Sequence, residues 1–219
     1  MVRRNQPTRN GLSSPTKYMR YIVYLILGFG IVLSTQAQTN TETIVCIRHG
    51  EKPVGGLGQL NCQGLNRALA LPDILVKKFG KPNYIFAPNP TQKADTRTND
   101  GYNYIRPLMT IEPTAIKCGL PVDTSYGFKE ISALQEELLQ AKYKNATIFV
   151  AWEHGLLDQF AKQFVQVGGG NPQTIPNWPG TDFDTIFIFK VTRLDSHIYI
   201  SFTTDHEGLN GLSTEYPRN

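Results

Sequence analysis

The sequence predicts an α/β domain, a three-layer αβα sandwich around a mostly parallel central sheet. Two observations carry that expectation. From Thr43 onward, apolar runs of strand length alternate with segments whose apolar residues recur at helical spacing. In addition, two of these runs stop at His-Gly pairs, the place where open α/β sheets bind their ligands. With 219 residues, 40% apolar and 18% charged, the chain is long enough to bury one sizeable core. Nothing after Thr43 marks a domain boundary.

Strands are expected at Ile44 to Ile47, Tyr84 to Phe86, Thr147 to Trp152, Ile186 to Val191 and Ile198 to Phe202. Between them, a first helix begins near Cys62 or Gly64 and turns Leu65, Leu69 and Leu75 inward. Pro72 should kink or restart it and Gly80 close it. A second helix opens around Arg106 and Pro107. A third covers Ile131 to Lys142, with Leu134, Leu138 and Leu139 on one face, and a fourth follows Gly155 with Leu156, Leu157, Phe160, Ala161 and Phe164 inward. The stretches Pro53 to Asn61, Pro88 to Asn103 and Gly168 to Thr181 are irregular and are candidate substrate-facing loops.

Residues 1–37 read as a secretory signal or an N-terminal membrane anchor, and 38–219 as the folded domain. A basic stretch ending at Arg20 precedes the apolar run Tyr21 to Leu33 and the small polar segment Ser34 to Ala37. Five of the 22 basic residues (Arg3, Arg4, Arg9, Lys17, Arg20) lie in that leader, so cleavage after Ala37 leaves 17 against 18 acidic ones, a net charge of −1. The pI of 8.9 therefore belongs to the leader, and a nucleic-acid partner is not expected. Export is expected, with membrane contact only through an uncleaved leader. Of the three cysteines, Cys46 reads as a buried core residue, whereas Cys62 and Cys118 could pair in an oxidising compartment. No spacing resembles a metal site, and no cofactor is expected.

The chemistry concentrates at strand ends. Ile44-Val45-Cys46-Ile47 runs into Arg48-His49-Gly50-Glu51. A guanidinium can hold phosphate oxygens while a neutral imidazole attacks phosphorus, and Gly50 would leave room for the anion. Arg106-Pro107-Leu108-Met109-Thr110 puts an arginine at a helix start, where anions are favoured. Thr147 to Trp152 ends in Glu153-His154-Gly155 and runs into a helix.

In this order, the motifs resemble those of the histidine phosphatase superfamily, the phosphoglycerate mutase-like fold. The resemblance implies that His49 forms a phosphohistidine without a metal. It also implies that Arg48, Arg106 and His154 hold the phosphoryl group, with a phosphorylated small molecule or other phosphomonoester as substrate. A long polar insertion between Pro88 and Arg106 departs from the family pattern and leaves Arg97 as a rival, with Arg106 favoured because it precedes a helical segment. The proton donor stays open among Glu153, Glu130 and neither, because Gly155 stands where one branch of the family places its acid. Glu51 and Lys52 read as a solvated pair more than as pocket lining. His197 and His206 read as structural or exposed, and Asp182 and Asp184 as residues that end the glycine-rich loop.

Overall fold

The computed structural model describes residues 1, 41–93, 101–194 and 197–217. The chain divides into Met1–Gln38 and a compact unit, Thr39–Asn219, that holds all the described elements. Apart from Met1, the expected leader lies outside the described residues, as does Arg97.

The elements run β1 (Thr41–Arg48), α1 (Cys62–Phe79), β2 (Tyr84–Phe86), α2 (Arg106–Cys118), α3 (Ile131–Leu138), β3 (Thr147–Trp152), α4 (His154–Val167), β4 (Thr185–Leu194) and β5 (His197–His206). Short 3-10 turns stand at Ala141–Tyr143 and Pro172–Thr174. The sheet order is β2-β3-β1-β4-β5. β1 and β2 lie parallel to β3, whereas β4 is antiparallel to both β1 and β5. Four of the five described strands therefore point one way, and the sheet is mostly parallel.

Helices cover both faces of the central strands, which is why β1 and β3 are apolar almost throughout. Ile44 and Cys46 join Ile148, Val150 and Trp152 under α3 and α4, while Val45 and Ile47 join Phe149 and Ala151 under α1 and α2. β1 leads into α1 on one face and its neighbour β3 leads into α4 on the other. Adjacent parallel strands whose connections depart to opposite faces leave a crevice at their carboxyl ends. Residues 48–50 and 152–155 meet at that crevice.

Several helix details differ from expectation. Asn61 caps α1, its Oδ1 accepting from Gly64 N–H at 2.8 Å, and the helix continues through Pro72 without a break. Its buried face is Gly64, Arg67, Ala68, Leu71, Pro72 and Leu75; Leu69 is 52% exposed and Leu65 only half-buried. α3 stops at Leu138 rather than Lys142. There Arg193 Nη2 takes the Leu139 carbonyl at 3.1 Å, and the tightened turn sinks Tyr143, whose hydroxyl donates to Glu137 Oε1 at 2.6 Å. Cys62 opens α1 and Cys118 closes α2, and both thiols are free.

Candidate active site

His49 follows β1 directly, and its backbone N–H donates to the Trp152 carbonyl at 3.0 Å, which locks it to the end of β3. The residue is only 2% exposed. Its Nδ1 lies 2.8 Å from the Gly50 carbonyl oxygen. A carbonyl only accepts, so Nδ1 carries the proton and a neutral ring keeps a bare lone pair on Nε2. Burial, with the charges of Arg106 and Arg48, brings the pKa down to about 3 against the pull of the Gly50 bond. The ring is therefore neutral and nucleophilic at physiological pH.

Gly50 serves packing rather than anion access. A Cβ there would meet Gly64 Cα and O, both at 3.0 Å, so the glycine lets α1 approach the turn. The same turn is tied to α2: Gly50 N–H donates to Thr110 Oγ1 at 2.9 Å, and that hydroxyl donates to the Arg106 carbonyl at 2.8 Å.

Arg48 is 2% exposed and held from one side. Its Nη1 donates to the carbonyls of Gly180 at 2.8 Å and Asp182 at 2.7 Å, and its guanidinium lies 3.8 Å from the Phe183 ring centroid. The glycine-rich loop thus positions Arg48 through its backbone. Burial lowers the Arg48 pKa to about 10, opposed by the charge of Glu153 and its neighbours, so it stays cationic at neutral pH. Arg106 opens α2 and its Nη1 donates to the Gly56 carbonyl at 3.0 Å. The Gly58 carbonyl accepts from Arg106 N–H at 3.1 Å, so the loop after His49 seats the start of α2. Nε of both arginines is buried without a hydrogen-bond partner among the described residues. Unmade donors of this kind, beside a nucleophilic imidazole, fit an oxyanion.

Glu153 and His154 sit where β3 gives way to α4. β3 ends at Trp152, so Glu153 lies beyond the strand at the start of α4. Glu153 is the N-cap, its Oε2 accepting from Leu156 N–H at 2.8 Å, while Oε1 lies 2.5 Å from His154 Nδ1. Burial raises its pKa, but His154 and the amides of Gly155 and Leu156 outweigh burial and bring it to about 2. Its charge acts on Arg48, His49 and Lys52. Glu130 is exposed, accepts from Gly127 N–H at 2.6 Å, and is not among the strongest charges on His49 or Arg48. His154 faces the loop that holds Arg48: a Cβ on Gly180 would lie 3.5 Å from its Nε2.

Glu51 and Lys52 do not form a solvated pair. Glu51 binds Arg67 through two bonds, Nε to Oε2 at 3.0 Å and Nη2 to Oε1 at 2.7 Å. Lys52 instead has its pKa lowered by partial burial and by Arg106 and Arg48, which puts it within reach of the pocket's field. Arg67 is fully buried and also meets Glu207 Oε2 at 2.5 Å and Asp184 Oδ1 at 3.6 Å. Asp182 does end the glycine-rich loop, its Oδ1 accepting from Asp184 N–H at 2.8 Å. His206 is exposed and 3.7 Å from Asp184 Oδ2, and His197 is exposed.

Two aromatic residues that carry no motif of their own flank His49. Tyr104 stands edge-on to His49 at 6.0 Å between centroids, and Phe183 at 6.3 Å. Their only signal in the sequence is proximity to Arg106 and to the Asp182–Asp184 turn. The Arg67 cluster is visible there only as a charge on the apolar face of α1.

No protein-family model and no curated protein matches the chain. In solved structures the chain is similar to phosphatases. A candidate phosphohistidine phosphatase SixA from Nakamurella multipartitia aligns at 12% identity and TM-score 0.48, covering 76% of this chain and 96% of that one. A mutant phosphoserine phosphatase from Entamoeba histolytica, in complex with phosphoserine, aligns at 12% identity and TM-score 0.45, over 78% and 99%. A candidate SixA from Agrobacterium tumefaciens aligns at 11% identity and TM-score 0.43, over 74% and 97%.

Proposed function

We propose that the protein is an exported phosphatase that hydrolyses phosphomonoesters through a phosphohistidine on His49. The observation that carries this reading is a buried, neutral His49 with Nε2 bare, set beside two arginines whose Nε donors have no partner among the described residues. In the first step Nε2 forms a bond to phosphorus as the ester P–O bond breaks, and the leaving group departs with the bonding electrons as an oxyanion that takes its proton from water, or from Glu153 where that carboxyl has been protonated. In the second, water attacks phosphorus, the P–N bond breaks and inorganic phosphate departs. Arg48, Arg106 and His154 stabilise the charge on the phosphoryl oxygens in both steps. An ionised Glu153 takes a proton from the attacking water in the second step. It donates in the first step only after a phosphate anion beside it has raised its proton affinity. This favours substrates whose leaving group tolerates negative charge.

The test is turnover of p-nitrophenyl phosphate, with and without a chelator. His49→Ala should lose activity by about a thousandfold or more. An undiminished rate would remove the phosphohistidine. Export rests on the basic, apolar and small-polar order of residues 1–37. The same assay on cell fractions should find activity outside the cytoplasm; activity confined to the cytosol would contradict it.

A second reading is a phosphate-binding protein of the same fold without turnover. The low pKa of Glu153 favours it, because no protonated carboxyl faces the pocket among the described residues. Phosphate binding with no hydrolysis of any ester or phosphoramidate would select it.

A further inference from the structure

Tyr104 enters the site from the irregular segment before α2. Its backbone N–H donates to the Gln92 carbonyl at 2.8 Å, and its ring packs against Phe128 at 4.8 Å between centroids. The side chain is 1% exposed and stands edge-on to His49, with the Arg106 guanidinium 4.6 Å from its ring centroid. The hydroxyl is buried; its oxygen lies within the reach of the Arg106 guanidinium, which can only donate to it, so the hydroxyl's own proton has no acceptor among the described residues. Burial pushes its pKa well above the ordinary phenol value, and the charges that bear on it are those of Arg106, Glu153 and Arg48, the groups of the pocket. The hydroxyl therefore stays protonated and remains a donor at any working pH.

A buried hydroxyl with its bond unmade destabilises a fold, and phenylalanine would fill the same aromatic space without that cost. Among the described residues, three buried donors near one imidazole, the Tyr104 hydroxyl and the Nε atoms of Arg48 and Arg106, lack acceptors. A ligand with several acceptor oxygens answers all three at once.

Building on the proposed function, we infer that Tyr104 is a further phosphoryl-binding residue, its hydroxyl donating to a non-bridging oxygen of the group held by Arg48 and Arg106. Isothermal titration of the full chain with inorganic phosphate tests this, with wild type beside Tyr104→Phe and thermal unfolding of both without phosphate. The variant should bind phosphate about 10- to 100-fold more weakly, the loss expected for one hydrogen bond to a charged acceptor. Its melting temperature should equal or exceed that of the wild type. Affinity within about twofold of wild type, or a melting temperature lowered by several degrees, would overturn the inference and leave the proposed function standing. Wild type that binds no phosphate would overturn both.

Discussion

His49 shows how much a single position decides. An ordinary imidazole would be partly protonated near neutrality, and a protonated one has no lone pair to offer. Here burial, two arginines and a carbonyl acceptor at Nδ1 together keep Nε2 unprotonated. The sequence made His49, Arg48, Arg106 and His154 legible because residue type and position at an element's end can be read locally. Tyr104, Phe183 and Arg67 were not legible, because their contacts come from segments far apart in the chain. The Arg67 cluster also carries a pH signature. One arginine faces three carboxylates, Glu51, Asp184 and Glu207, and burial raises the Glu207 pKa from 4.5 to about 8 against the pull of Arg67. The folded state therefore holds this proton more tightly than the unfolded chain. Stability is fully present below about pH 4.5 and is lost as pH rises through about 8. Urea unfolding between about pH 5 and pH 8 should show this loss in wild type and a flatter profile in Glu207→Gln. Equal slopes would mean that Glu207 ionises in the fold as it does in the open chain.

At the scale of elements, the strands were easier to read than the helices. A strand buried on both faces announces itself as an apolar run, as β1 and β3 do. Which face of a helix is buried depends on its partner. α1 turned Gly64 and Arg67 inward because Gly64 packs on the turn after His49 and Arg67 pairs with Glu51, and this phase put Leu69 in solvent. The start of α4 carries the open mechanistic question. Glu153 caps the helix and holds His154, so removing its side chain would remove structure and chemistry together. Glu153→Gln keeps an oxygen for the Leu156 amide and loses the ionisable group. If Glu153 donates to the leaving group, this variant should slow an alkyl phosphate about 10- to 100-fold more than p-nitrophenyl phosphate, whose leaving group needs no proton. Equal losses on both substrates would confine Glu153 to capping and to holding His154.

Across the whole molecule, the topology and the chemistry share one origin. β1 and β3 lie side by side at the centre of the sheet and send their helices to opposite faces. The residues at their carboxyl ends therefore meet: Arg48 and His49 from one strand, Glu153 and His154 from the other. Two other segments close the site, with the loop at Gly56 and Gly58 seating Arg106 and the Gly180–Asp182 carbonyls fixing Arg48. The long-range seating was hidden in the sequence, because it runs through backbone carbonyls that carry no residue signature. In the proposed function, all of it converges on Nε2 of His49 as the atom that takes the phosphoryl group. Rapid acid-free quench of the enzyme during turnover of a phosphorus-labelled aryl phosphate, followed by peptide mapping, measures this directly. The label should appear on the His49 peptide, stable in alkali and lost in acid, and be absent from His49→Ala. Steady hydrolysis with no label on His49, or label retained by the variant, would contradict the account.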